Sequence, residues 1–214
     1  MTNEEMTKLV TTYFNQEGYT FPETYEHRFD PVSSAMMYSL IRDRKPKTVL
    51  EIGSWEGGST GVIMAALLKN DQPFTFVCSE LEDDLRKKTE RNVLEHTGQA
   101  PIMIGDITKN LDQVPESLDF LFVDTNHDLD TTKWIVENIW PRVANGGMYC
   151  MHDWPVKEED GIIKTKGVGV WAETEYLIKL IDEKIFPFTK VFWTYENPGL
   201  QETGFWIKPF WVKS

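Results

Sequence analysis

Val49-Leu50-Glu51-Ile52-Gly53-Ser54-Trp55-Glu56-Gly57-Gly58-Ser59-Thr60 is the stretch that decides the fold of this chain. The apolar run Thr48 to Ile52 has the length and β-branched content of a short buried strand. It breaks at Gly53 into a glycine-rich turn, and a helix is expected from Gly58-Ser59 through Met64, Leu67 and Leu68. A strand, a glycine turn and a helix N-terminus in succession form a pocket floor where backbone can approach a ligand closely. The spacing matters. A dinucleotide fingerprint needs three glycines as G-x-G-x-x-G, whereas here an acidic residue is followed by Gly53 and then by Gly57, with Trp55 between them.

Outward from that stretch the chain alternates. Strands are expected at Thr48 to Ile52, Phe74 to Ser79, Ile102 to Ile104, Leu118 to Val123 and Gly147 to Met151. Helices are expected between them at Ser59 to Lys69, Leu81 to Glu95 and Thr131 to Val143, with an irregular turn at Lys109 to Glu116. Repeated β-α alternation with apolar strands predicts a parallel sheet covered on both faces, a doubly wound α/β fold. Before it, Asn3 to Asn15 and Pro31 to Arg42 carry helical apolar spacing. After it, Val168 to Lys184 reads as a helix, and Phe188 to Tyr195 and Gly204 to Ile207 as two strands of an antiparallel hairpin. Pro155 to Lys166, rich in charge and glycine, reads as a loop over the site.

At 214 residues the chain is expected to be one domain, with N-terminal helices and a lid over 1–46 and the core over 47–209. A net charge of −12, with no Lys/Arg-rich run, disfavours nucleic acid and anionic membranes as partners. Two cysteines, both in apolar strands, fit a reducing compartment rather than a disulfide framework. No signal-like segment and no span-length apolar run is present, so a soluble, cytoplasmic protein is expected. The eight tryptophans are read mainly as core, and the aromatic tail leaves room for a homo-oligomer interface.

The motif Glu51-x-Gly53-x-x-x-Gly57 resembles motif I of the class I S-adenosylmethionine-dependent methyltransferases. The resemblance covers about Lys47 to Pro209, and the terminal hairpin matches their seven-stranded Rossmann-like sheet. It implies S-adenosylmethionine as the cofactor, with Glu51, Gly53, Ser54, Gly57 and Ser59 around its amino-acid end. Glu80, at the end of the second strand, would accept from the ribose hydroxyls, with Glu82 near enough to compete. Asp106, at the end of the third, would face the adenine edge, though it could equally form a turn or an N-cap.

The fourth strand ends in Asp124-Thr125-Asn126-His127 and the fifth in His152-Asp153. With Gly146-Gly147, these resemble the O-methyltransferases related to macrocin O-methyltransferase and to the cephalosporin hydroxylases. That branch holds a divalent metal, Mg²⁺ or a similar ion, with an Asp after the fourth strand and an acidic pair after the fifth. Asp124, which also borders the cofactor, and Asp153 match it. His152 departs from it, because an imidazole suits Mn²⁺, Fe²⁺ or Zn²⁺ better than Mg²⁺.

His127 has three readings: a general base taking the proton of a substrate hydroxyl, a metal ligand, or a helix cap. Asp128 and Asp130 read as helix N-terminal charges. Tyr25, His27 and Arg28 occupy the place of a substrate lid. The reaction implied is O-methylation of a small hydroxylated acceptor with Asp124 and His127 at the chemistry. The alternatives are a metal-independent methyltransferase, a nicotinamide-dependent oxidoreductase, and a non-catalytic protein that only binds S-adenosylmethionine.

Overall fold

The computed structural model describes residues 31–152 continuously, together with 12, 156–159, 162–165, 175–177, 179–180, 183, 191–193 and 203–207. Helix α1 (Pro31–Arg44) precedes the alternating core: β1 (Thr48–Ile52), α2 (Gly58–Lys69), β2 (Thr75–Ser79), α3 (Asp83–Thr97) and β3 (Ile102–Ile104). It continues with β4 (Leu118–Val123), α4 (Leu129–Asn138) and β5 (Val143–His152). Short strands β6 (Val156–Glu159), β7 (Ile162–Thr165), β8 (Val191–Trp193) and β9 (Thr203–Ile207) follow. The main sheet runs β3-β2-β1-β4-β5-β9-β8. Its first five strands are parallel, and β9 pairs antiparallel with β5 and with β8.

The alternation of side chains across each strand explains why the sheet is covered on both faces. Val49, Phe76, Cys78, Phe120, Phe122, Met148 and Cys150 pack with Met37, Tyr38 and Ile41 of α1, Val62 to Leu67 of α2, and Val93 of α3. Their neighbours Leu50, Ile52, Val77, Leu121, Val123, Tyr149 and Met151 pack on the opposite face with Ile135 of α4 and with Leu177 and Leu180. Both faces of β1 are therefore dry, which is why its sequence is a continuous apolar run rather than an alternating one. At its start, the Asp119 carboxylate accepts from the amides of Lys47 and Thr48 at 2.7 and 3.1 Å, and Thr48 Oγ1 accepts from the Asp119 amide. These bonds fix the register of β1 against β4.

The structure departs from the sequence expectation in two described places. Helix α4 stops at Asn138, and the following 3₁₀ turn (Trp140–Arg142) holds Pro141 in its first positions, so Val143 opens β5 rather than closing a helix. Within the segment read as a loop, Val156–Glu159 and Ile162–Thr165 pair antiparallel. The expected helix over Asn3 to Asn15, the lid residues Tyr25, His27 and Arg28, and Asp153 lie outside the described residues, Thr12 excepted.

Candidate active site

The order of strands reverses around β1: β2 and β3 follow on one side, β4 and β5 on the other. A crevice forms beyond the carboxyl ends of parallel strands at such a point, and ligands bind there. In this chain it is a cavity of about 460 Å³, lined by Gly53, Trp55, Glu80, Leu81, Glu82, Asp106, Asp124, Asn126, His127 and His152 among others. That volume is in the range of small-molecule and cofactor sites.

The turn after β1 closes the cavity floor. Gly53 has φ +87°, and a Cβ there would sit 1.8 Å from the Asp124 carbonyl oxygen. Only glycine lets the β1 turn lie against the end of β4. Gly57, with φ +94°, is the N-cap residue of α2 and faces Val93 and Thr89 of α3, 3.2 and 3.3 Å from where its Cβ would be. The ladder continues past the strands: the Gly53 amide donates to Ser79 O, the Glu80 amide to Ile104 O and the Asp124 amide to Ile52 O, at 2.9, 3.0 and 2.9 Å.

Glu51 shares its face of β1 with Val49, the side covered by α2, and is fully buried. Ser59 donates to one of its carboxylate oxygens at 2.5 Å and the Cys78 thiol to the other at 3.3 Å. Burial pushes its pKa from 4.5 up to about 7, against the opposing pull of the Ser59 hydroxyl. Glu51, Ser54, Gly57 and Ser59 are not among the residues lining the cavity. They build the turn from beneath.

Glu80 does line the cavity. One of its oxygens accepts the Ser54 and Trp55 amides at 3.1 and 2.9 Å, and the other accepts the Glu82 amide at 3.2 Å. A carboxylate offers about four acceptor sites, so capacity remains for a ligand hydroxyl. Asp106 also borders the cavity, but its carboxylate accepts from the Thr108 amide at 3.0 Å and pairs with Lys109 at 2.9 Å. The Lys109 ammonium and the Thr108 hydroxyl hold it below the usual carboxylate range. It forms the turn that the sequence allowed as an alternative, at the cavity edge.

On the other rim His127 adopts φ +57°, a left-handed conformation that costs a non-glycine residue about 1 kcal/mol or more and that clusters at functional sites. Asp128 next to it caps α4, accepting from the Thr131 amide at 2.8 Å. The buried His152 brings Nδ1 within 3.3 Å of Asp124 Oδ2. Two atoms at that separation match adjacent ligand positions about 2.1 Å from one ion. Yet no group of three potential ligands gathers among the described residues. Two donors fall short of the four or more that a divalent ion takes, so the described residues alone do not make a metal centre.

Both cysteine thiols are pushed well above their ordinary range, chiefly by burial, which removes them as nucleophiles. Trp55, counted with the core in the sequence, is 47% exposed and lines the cavity. Its place between Gly53 and Gly57 was the available signal.

A family model described as "Methyltransferase domain" matches residues 50–154, from β1 to just past β5. No curated protein matches the chain. Among solved structures, an O-methyltransferase from Bacillus cereus bound to SAH is 17% identical with a TM-score of 0.61, over 95% of this chain and 91% of that one. The O-methyltransferase TomG from Streptomyces achromogenes, of tomaymycin synthesis and bound to SAM, is 15% identical with a TM-score of 0.64, over 96% and 90%. The SAH-bound methyltransferase PaMTH1 from Podospora anserina is 17% identical with a TM-score of 0.56, over 96% and 87%. The comparisons thus show a match to a methyltransferase domain over residues 50–154 and a fold shared with SAH- and SAM-bound O-methyltransferases.

Proposed function

We propose that this chain methylates a hydroxyl of a small molecule, with S-adenosylmethionine as donor. The observation that carries the reading is the charge of the cavity wall. Glu80, Glu82, Asp106 and Asp124 line it, and no Lys or Arg is among the lining residues described. Such a wall favours a ligand bearing a sulfonium and an ammonium and repels the pyrophosphate of a nicotinamide dinucleotide. This disfavours the oxidoreductase alternative. The O-methyltransferase structures that share the fold support the choice of oxygen as the acceptor.

When bound, S-adenosylmethionine supplies an electrophilic methyl carbon on a positively charged sulfur. The chain has to align an oxygen with that carbon and remove the oxygen's proton. Glu80 would receive the ribose hydroxyls with its remaining acceptor sites, and Asp106 would border the adenine. Glu51, Ser54, Gly57 and Ser59 would serve by shaping the turn, and Gly53 by letting backbone meet the ligand. His127 would take the proton from the acceptor hydroxyl. Asp124, 3.3 Å from His152, would orient that imidazole and balance charge beside the acceptor.

Metal assistance is the finer form of the reading, with Asp124, His152 and Asp153 as the holding residues, and the 3.3 Å approach of the first two favours it. The test is transfer of labelled methyl to a panel of sugars, catechols and polyketide glycosides, before and after chelation. Turnover that His127→Ala lowers about a hundredfold supports the reading, and turnover unaffected by that change refutes the base. Activity lost on chelation and restored by Mn²⁺ supports the metal, whereas activity that survives chelation removes it. Binding of S-adenosylmethionine with no turnover on any acceptor would instead mark a non-catalytic protein.

A further inference from the structure

Trp55 stands in an expensive conformation. Its φ is +50°, a left-handed geometry that costs a bulky side chain about 1–2 kcal/mol, and burial does not offset this because the ring is half exposed at the cavity. What holds it is hydrogen bonding at both ends of the residue. Its amide donates to Glu80 Oε2 at 2.9 Å, and its carbonyl accepts from Thr89 Oγ1 at 2.8 Å.

Thr89 lies on α3, is fully buried, and does not line the cavity. Its single proton goes to the Trp55 carbonyl, which can only accept. The 3.1 Å contact between Thr89 Oγ1 and Ser54 Oγ must then run from Ser54 to Thr89. Ser54 Oγ also reaches Glu80 Oε2 as a donor at 3.4 Å, so its one proton is divided between the nearer Thr89 oxygen and the carboxylate. The hydroxyl of Thr89 therefore sets the direction of a chain that includes both turn residues bonded to Glu80. The same face of α3 grips the next residue of the turn: Lys88 pairs with the Glu56 carboxylate at 2.5 Å, and Asn92 donates to Glu56 O at 3.0 Å.

We infer that Thr89 is a positioning residue of the cofactor site, acting through Trp55 and Glu80 by locking the β1 turn in its left-handed form. The inference rests on the reading of the cavity as the S-adenosylmethionine site. Without the hydroxyl, the Trp55 carbonyl loses its donor, and the Ser54 hydroxyl loses its nearer acceptor and turns to Glu80. The ring then leaves the cavity wall, and the Ser54 hydrogen bond to Glu80, 3.4 Å long with Thr89 in place, tightens and competes with a ligand.

The experiment is calorimetric titration of S-adenosylhomocysteine into the wild type, Thr89→Val and Thr89→Ser, with steady-state kinetics on any acceptor found. Thr89→Val is expected to raise Kd, and KM for S-adenosylmethionine, about tenfold while kcat at saturation stays within about twofold. Thr89→Ser, which keeps the donor, is expected to restore both. Thr89→Ala takes the place of the valine variant should that one fail to fold. A wild-type Kd in the hydroxyl-free variant overturns the inference, as does a serine variant as weak as the valine one. Failure of the wild type itself to bind S-adenosylhomocysteine overturns the reading of the cavity and the inference with it, and so separates the two.

Discussion

Glu51→Gln should make this protein more stable in alkali and leave it little changed in acid. The wild-type carboxyl is buried among Cys78, Ser59 and the apolar face of β1, and its pKa rises from 4.5 to about 7. For an acid whose folded pKa lies above its unfolded one, the folded state binds the proton more tightly. Its stability contribution is then fully present below pH 4.5 and is lost as pH climbs through about 7. At about 1.4 kcal/mol for each pH step, the whole interval amounts to about 3 kcal/mol. Glutamine keeps the acceptor for Ser59, presents an amide nitrogen towards Cys78 Sγ, and never ionises. Urea unfolding of both proteins at pH 5 and pH 8 gives the difference directly, because the other carboxylates are common to both. The gap should move towards the glutamine variant by about 2–3 kcal/mol between those two pH values. A gap that stays constant within about 0.5 kcal/mol would refute the argument, since it would mean that Glu51 is not charged at a cost in the folded state.

Two further outcomes follow from single contacts. Gly53→Ala places a Cβ 1.8 Å from the Asp124 carbonyl oxygen, so the turn must move off β4; a loss of at least about 2 kcal/mol in stability is expected, together with loss of calorimetric S-adenosylhomocysteine binding. Asp128→Ala removes the cap of α4 and should cost about 1 kcal/mol at pH 7. The Thr131 contacts hold that carboxyl below its usual range, so its contribution is present above pH ~4 and fades as pH falls, and urea unfolding at pH 7 and pH 3 should show the penalty shrinking.

The strand ends were readable because each is punctuated. β1 lies between Pro46 and Gly53, and its bounds in the structure are those its apolar run predicts. The sequence predicts a longer α4 than the structure has, because Ile135, Ile139, Trp140 and Val143 keep apolar spacing across the proline that ends it. The pairing of β6 with β7 was hidden by charge and glycine, which mark loops by composition whether or not two segments pair across them. Within the site, the order of strands assembled Gly53, Glu80, Asp106, Asp124, His127 and His152 around one cavity, as the β-α alternation implied. The face that Glu51 occupies was present in its parity with Val49, but the motif drew attention to a ligand instead. Thr89 gave no signal, because its partner is 34 residues away and nothing local on α3 distinguishes it from a solvated threonine.

The contact between Gly53 and the Asp124 carbonyl joins the half of the cavity lined by Glu80 and Asp106 to the half that carries the imidazoles. That junction is backbone against backbone, so no rotamer change can lengthen or shorten it. A main-chain contact of this kind works as a fixed gauge between donor and acceptor positions. Displacement transfer needs sulfur, carbon and oxygen in line, and it tolerates errors in that gauge far less than errors in the shape of the acceptor pocket. On the proposed function, the distance between donor and acceptor positions is therefore set by the sheet itself rather than by any side chain of the cavity.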